Sequence, residues 1–309
     1  MLHFAGQGAS PTDTNKIVNN CCATGAQFKN HKEEYKMSER FKFGIVVDVV
    51  PLKDVPGGYE YFEVPASIHG DPILCDADWE VWRDQYIADG RPCMTTSHLL
   101  GPGMLWQGGS GKYYDRELIA FSLEREFKRM SQLGVKYIGC WGGHFRCQEG
   151  FDRTTAIDQA LSTINMAADF AAKYDMQIAL EPQAEPDTLF PRYLEGVAFA
   201  KMTGRSNVKV MADLNYFLEL GQPLEDILKY PEYCLNVHIQ GDGGAQPNVG
   251  DRRDILKHLF EVLKEAGYDK GVSVACPWVI TNGASEIDYA YETEKTLKFV
   301  QEIRDEVYK

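Results

Sequence analysis

Four apolar runs in the second half of the chain each stop on a residue able to hold a metal: IALE at Glu181, VMAD at Asp213, LNVH at His238 and VSVAC at Cys276. The stops are spaced 32, 25 and 38 residues apart. Two carboxylates and an imidazole suit a divalent cation, and mixed oxygen and nitrogen donors without a certain thiolate favour manganese or magnesium over zinc. Each residue also has an ordinary reading. Glu181 could be a solvent-facing strand end, Asp213 a cap for the next segment, and His238 an imidazole bonded to a backbone carbonyl. Their arrival in series favours the metal, so Glu181, Asp213 and His238 are read as the ligands of one divalent cation. Cys276 reads either as a softer fourth ligand or as a small buried thiol.

A second stretch, GCWGGHFRCQEGFDRTTA at residues 139–156, leaves the fourth strand candidate, turns on Gly142 and Gly143, and enters a helix near Thr154. It therefore carries His144 and Arg146 to the same mouth. A neutral imidazole can act as a general base near pH 7, so His144 is read as catalytic. Arg146 can hold a hydroxylate, a carboxylate or a developing enolate and is read as substrate-binding; its alternative is an ion pair with Glu149 or Asp152. Trp141, Trp278 and Tyr216 fall near strand ends, where flat rings can stack on a sugar or an aromatic aglycone. His98 closes the third strand and receives no role.

These groups need a scaffold that brings strand ends together. Eight strand candidates occur, at 43–50, 59–64, 93–98, 135–140, 176–181, 208–213, 234–238 and 272–276. Helical periodicity fills the gaps: Ile119, Leu123, Phe127 and Met130 with Gly134 as a stop, then Ile157, Leu161, Ile164 and Ala168. Ile255, Leu259, Val262 and Ala266 follow, with Gly267 as the C-terminal cap. The last helix is expected to open at Ser285 with Asp288 three residues on, its inner face made by Leu297, Val300, Ile303 and Val307. Alternating units of this number predict an α/β fold, a (β/α)8 TIM barrel, whose catalytic groups gather at the C-terminal strand ends. An open doubly wound sheet would need a glycine-rich turn after its first strand, and VVDVVPLKD is not one.

Composition narrows the partners. A net charge of −13 over 309 residues speaks against nucleic acid and against an anionic membrane. No run of about 18 apolar residues exists, so no membrane span is expected. Residues 1–36 are polar and lack the apolar segment of a signal peptide; they read as an appended tail, with Met37 starting a single barrel domain over 37–309. The eight cysteines contain no CxxC pair. Cys75, Cys93, Cys140, Cys234 and Cys276 lie in or beside apolar runs as buried free thiols do, which suits a reducing cytoplasm.

The order Glu181, Asp213, His238, with the loop GGHFRCQEG after the fourth strand, resembles the sugar isomerase/epimerase superfamily of xylose-isomerase-like barrels over residues 41–307. The resemblance implies a divalent cation at the three matching positions, gripping adjacent oxygens of a ketose-like substrate. The chain departs from the epimerases of this group in three places. Cys276 stands where a second glutamate usually ends the eighth strand. Tyr216 replaces a histidine three residues after the metal-binding aspartate, and HIQGDGGA replaces their HxxDxxR loop. A thiol is a poor substitute for a carboxylate base, so two-base epimerisation is disfavoured, and one-base elimination survives. The subgroup that fits is the C-glycoside deglycosidase α subunit. That likeness implies a 3-keto sugar substrate, a loop histidine (here His144) as base, β-elimination of a C-linked aglycone, and a small β subunit as partner. The alternatives are an isomerase or epimerase of keto sugars and a non-catalytic sugar-binding barrel.

Overall fold

The structure is a computed structural model that describes residues 40–69, 74–100 and 114–309; the tail 1–36 and the start at Met37 lie outside these residues. Eight parallel strands close into a barrel in sequence order: β1 (Lys42–Val46), β2 (Tyr61–Pro65), β3 (Cys93–Ser97), β4 (Tyr137–Trp141), β5 (Gln177–Glu181), β6 (Val208–Asp213), β7 (Cys234–Ile239) and β8 (Gly271–Val274). Strand β8 returns to β1, with Val272 paired to Phe43. The helices are α1 (Ala66–His69), α2 (Asp76–Asp89), α3 (Arg116–Gln132), α4 (Arg153–Lys173), α5 (Tyr193–Met202), α6 (Leu214–Glu219), α7 (Arg253–Glu265) and α8 (Tyr289–Val307). The (β/α)8 barrel expected from the alternating pattern is the fold observed.

The strands read as nearly continuous apolar runs because both of their faces are covered. In β1, Phe43 and Ile45 belong to the main core, and Phe43 meets Phe260 of α7 with ring centroids 5.8 Å apart. Gly44, between them, faces a different neighbour. The ring of Tyr61 fills the space that a side chain at Gly44 would need, and Gly271 on β8 yields to the same ring. On α8 the expected stripe of Leu297, Val300, Ile303 and Val307 is buried. Each such side chain contributes about 1.5–3 kcal/mol relative to exposure.

Several local expectations change. α8 opens one residue after Asp288, whose carboxylate accepts from the Tyr291 amide at 3.1 Å, while Ser285 stays exposed outside the helix. A charged acceptor at the helix start also gains from the dipole, which favours Asp288 over Ser285. In α4 the buried face is Ala156, Ala160, Ile164, Ala167, Ala168 and Ala171, with Ile157 and Leu161 only half-buried; alanines let the helix lie close to the sheet. Cys75 is exposed, not buried: its sulfur accepts from the Asp78 amide at 3.4 Å and caps α2. Cys93, Cys140 and Cys234 are buried free thiols and Cys276 is half-buried. No helix among the described residues is long and apolar enough to cross a membrane.

Candidate metal centre

The barrel register delivers the three proposed ligands to one place. Glu181 ends β5 and Asp213 ends β6, and Asp213 pairs with His238 of β7. One ligand atom from each of the three lies within 4.8 Å of the others, and all three side chains are buried. His238 Nδ1 is 3.6 Å from Glu181 Oε1 and 3.6 Å from Asp213 Oδ2. Asp213 serves two ends at once. Its Oδ1 accepts from the Asn215 amide at 2.9 Å and caps α6, while Oδ2 accepts from Gln240 Nε2 at 2.8 Å and faces the imidazole. The capping reading and the ligand reading are therefore compatible.

Behind the imidazole lies a group of buried polar residues that the local sequence pattern did not single out as a unit. Glu63, in the middle of β2, is fully buried and its Oε1 sits 2.8 Å from His238 Nε2. Its Oε2 accepts from Ser273 Oγ at 2.6 Å and from Asn236 Nδ2 at 3.1 Å. Tyr61 OH lies 2.7 Å from the same Ser273 hydroxyl. Burial alone would raise the Glu63 carboxyl, but the charge of His238 and the bonds from His238, Ser273 and Asn236 outweigh it and hold the group below the usual range. Burial opposes the charged imidazole of His238, yet the Glu63 charge and the bonds to Asp213, Glu181 and Glu63 raise it well above its ordinary value.

This donor set fits a divalent cation. Two carboxylates converge on the one ring nitrogen that Glu63 leaves open, and a ligating histidine characteristically gives its other N–H to a carboxylate. A buried acceptor, Gln240 Oε1, has no partner beside them. Cys276 lies two residues beyond β8. Burial, then the nearby Asp48, pushes its thiol well up, so it stands as a neutral group.

The trio opens into a cavity of about 690 Å³, whose lining also includes Trp141, Tyr216, Trp278 and Cys276. All three aromatic residues singled out for stacking thus reach it. Burial, then the charges of Glu181 and Asp213, raises the Tyr216 phenol and keeps it neutral. His98 also lines this cavity, as do the carboxylates Asp48 and Glu219.

His144 and Arg146 are placed differently. His144 closes a short 3-10 turn (Gly142–His144), is half-buried, and meets Trp141 edge-on with centroids 5.1 Å apart; it is not among the lining residues. Gly142 and Gly143 are needed for contact, not for left-handed backbone: a side chain at Gly142 would strike the Glu181 carbonyl, and one at Gly143 the Gln183 amide. Arg146 pairs with Glu185 and Asp187 and donates to the Gly143 carbonyl at 3.1 Å. An antiparallel bridge between Arg146 and Thr188 brings that acidic segment alongside, which is why Glu149 and Asp152 are not its partners. Asp152 instead caps α4.

Several solved structures share this fold. A 3-keto-D-glucoside 4-epimerase from E. coli superposes with a TM-score of 0.67 at 15% identity, covering 85% of this chain and 100% of the other. A D-psicose 3-epimerase determined in the presence of D-fructose gives 0.71 at 18% identity, covering 85% and 99%. The D-psicose 3-epimerase of Clostridium cellulolyticum H10, with D-tagatose, gives 0.70 at 20%, again covering 85% and 99%. No curated protein matches the chain by sequence. Residues 58–302, most of the barrel, match one family directly: the chain belongs to the xylose isomerase-like TIM barrel family.

Proposed function

We propose that the chain is a metal-dependent enzyme that removes a proton from the carbon beside a sugar carbonyl. Its specific reaction on this reading is lyase cleavage of a 3-keto C-glycoside, as the α subunit of a cytoplasmic enzyme with a small β subunit. The observation that carries it is the ligand trio Glu181, Asp213 and His238 in a cavity where the strand β8 side contributes the neutral thiol of Cys276. Inverting a carbon through two bases needs a second proton carrier on the opposite face; elimination needs one base.

The cavity volume suits a sugar with a substituent, and Trp141, Trp278 and Tyr216 offer rings to stack on it. An adjoining cavity of about 770 Å³, lined by Pro51, Leu52, Trp82 and Tyr86 among others, shares Asp48 and Val49 with the first. An apolar annex beside the sugar site supports a substrate with an aromatic aglycone. When bound, manganese or magnesium there supplies Lewis-acid polarisation of a substrate oxygen. Glu63 holds the His238 ring in the orientation that presents Nδ1. The base takes the proton from C2, the released electron pair forms the C1–C2 double bond, the bond from C1 to the aglycone breaks, and the aglycone carbon takes up a proton. Arg146 is the expected anion holder; His144, the base expected from the sequence, packs on Trp141 outside the cavity lining, so mutagenesis decides which imidazole takes the proton.

A second reading, epimerisation of a keto sugar, draws support from Asp48 and Glu219, two carboxylates on the same cavity. Incubation of the Mn²⁺-loaded protein with the 3-keto derivative of an aryl C-glucoside separates the two. Release of free aglycone is expected. A product that keeps every carbon and differs at one centre favours the epimerase, and an unchanged substrate overturns both.

A further inference from the structure

We propose that His98, at the end of β3, is a catalytic residue that carries the substrate proton between the sugar carbon and solvent. The proposal rests on the reading of this site as one that removes a proton beside a sugar carbonyl.

His98 lines the cavity that holds Glu181, Asp213 and His238, and its side chain is exposed there. The ring meets Trp141 edge-on, with centroids 5.8 Å apart, and makes no hydrogen bond to any described residue. No described residue engages its nitrogens, and the residue lies on the cavity wall. His238 is engaged by three carboxylates, and His258 pairs with Glu225 away from the site. His144 meets the same indole as His98, but only His98 reaches the cavity wall.

The backbone around His98 is costly. His98 has φ +52° and Leu100 has φ +65°, both in the left-handed region that crowds a β-carbon. Such conformations persist only where the surroundings over-determine them, and they gather at functional sites. Here the surroundings do so at three consecutive residues. The His98 carbonyl accepts from the Ser67 amide at 2.9 Å, and the Leu99 amide donates to the Gly139 carbonyl at 2.9 Å. The Leu100 amide donates at 3.0 Å to Glu126, a fully buried carboxylate. The buried side chains of Leu99 and Leu100 anchor the segment. A loop whose only task was to leave β3 would not need a buried carboxylate and two left-handed residues to hold an exposed imidazole over the cavity.

The chemistry follows from that placement. The ring takes the proton from the carbon next to the carbonyl, and the C–H electron pair passes into the enolate. Because the ring is exposed, the imidazolium returns that proton to water. Hydrogen on that carbon should therefore exchange with solvent through His98.

The test uses Mn²⁺-loaded protein with 3-keto-D-glucose in deuterated water, following by NMR the protons that flank the carbonyl. Asn tolerates the left-handed backbone but offers no basic nitrogen, so His98→Asn should lower exchange ~10²–10⁴-fold with Mn²⁺ binding unchanged. His98→Gly relieves the backbone, so it should lose exchange equally while melting no lower than wild type. His144→Ala, measured beside it, tests the other candidate base. Wild-type exchange in His98→Asn overturns the proposal, and so does a melting temperature for His98→Gly that falls by more than about 3 °C, since that marks a structural role. Loss of exchange in His144→Ala alone transfers the role to His144. A wild-type protein that exchanges nothing overturns the functional reading itself.

Discussion

Glu63 Oε1 and His238 Nε2 lie 2.8 Å apart, although 175 residues separate them in the chain. The contact fixes the imidazole. With Nε2–H donating to Glu63, Nδ1 is the nitrogen that faces Glu181 and Asp213, so the ring orientation is set before any cation arrives. Glu63→Gln keeps the shape but removes the charge. It should weaken Mn²⁺ binding ~10–100-fold by titration calorimetry, with the circular dichroism spectrum preserved. Unchanged affinity would mean that Glu63 serves only to fill the barrel.

The same carboxylates raise His238 well above its ordinary value in the metal-free protein. A cation at Nδ1 must then displace a proton. Binding at pH 7 should release roughly one proton per cation, and affinity should fall as pH drops. Calorimetry in buffers of different ionisation enthalpy reads this directly: heats that do not depend on the buffer contradict it.

Legibility of the site in the sequence follows this division between strand ends and cross-barrel contacts. Glu181, Asp213 and His238 could be read as a set because parallel strands announce themselves as apolar runs and a barrel gathers their C-terminal ends. The partnership of Glu63 with His238 could not, because it depends on which faces meet across the barrel interior. His98 escaped for a related reason. Its position is set by a left-handed backbone pinned from Ser67, Gly139 and Glu126, none of which is a local neighbour in the chain. The turn at Gly142 and Gly143 is legible from the pair of glycines, but their reason is not: they mark close contact with the backbone and side chains after β5. The fold itself was legible to within a few residues of most element ends.

The barrel interior makes a separate demand on Gly44. Any side chain there meets the ring of Tyr61, which is fully buried and hydrogen-bonded to Ser273, so it has nowhere to move. Gly44→Ala should cost about 1–3 kcal/mol. At ~2–4 °C per kcal/mol for a large domain, thermal denaturation should show a clear drop in melting temperature. A melting temperature equal to wild type would show that Tyr61 can shift.

Cys276 offers the reverse case. Its thiol is held neutral by burial and by Asp48 and stands outside the ligand trio. Cys276→Ser should therefore leave Mn²⁺ affinity unchanged within about threefold, below 1 kcal/mol. A tenfold loss would make the sulfur a fourth ligand.

One divalent cation held by Glu181, Asp213 and His238 is the common requirement of the proposed chemistry. Equilibrium dialysis against Mn²⁺, followed by elemental analysis, measures it without knowledge of the substrate. The wild-type chain should hold one cation, and Glu181→Ala, Asp213→Ala and His238→Ala should each lose it while remaining folded by circular dichroism. A wild-type chain that binds no Mn²⁺ or Mg²⁺, or three variants that bind as wild type does, would contradict the account.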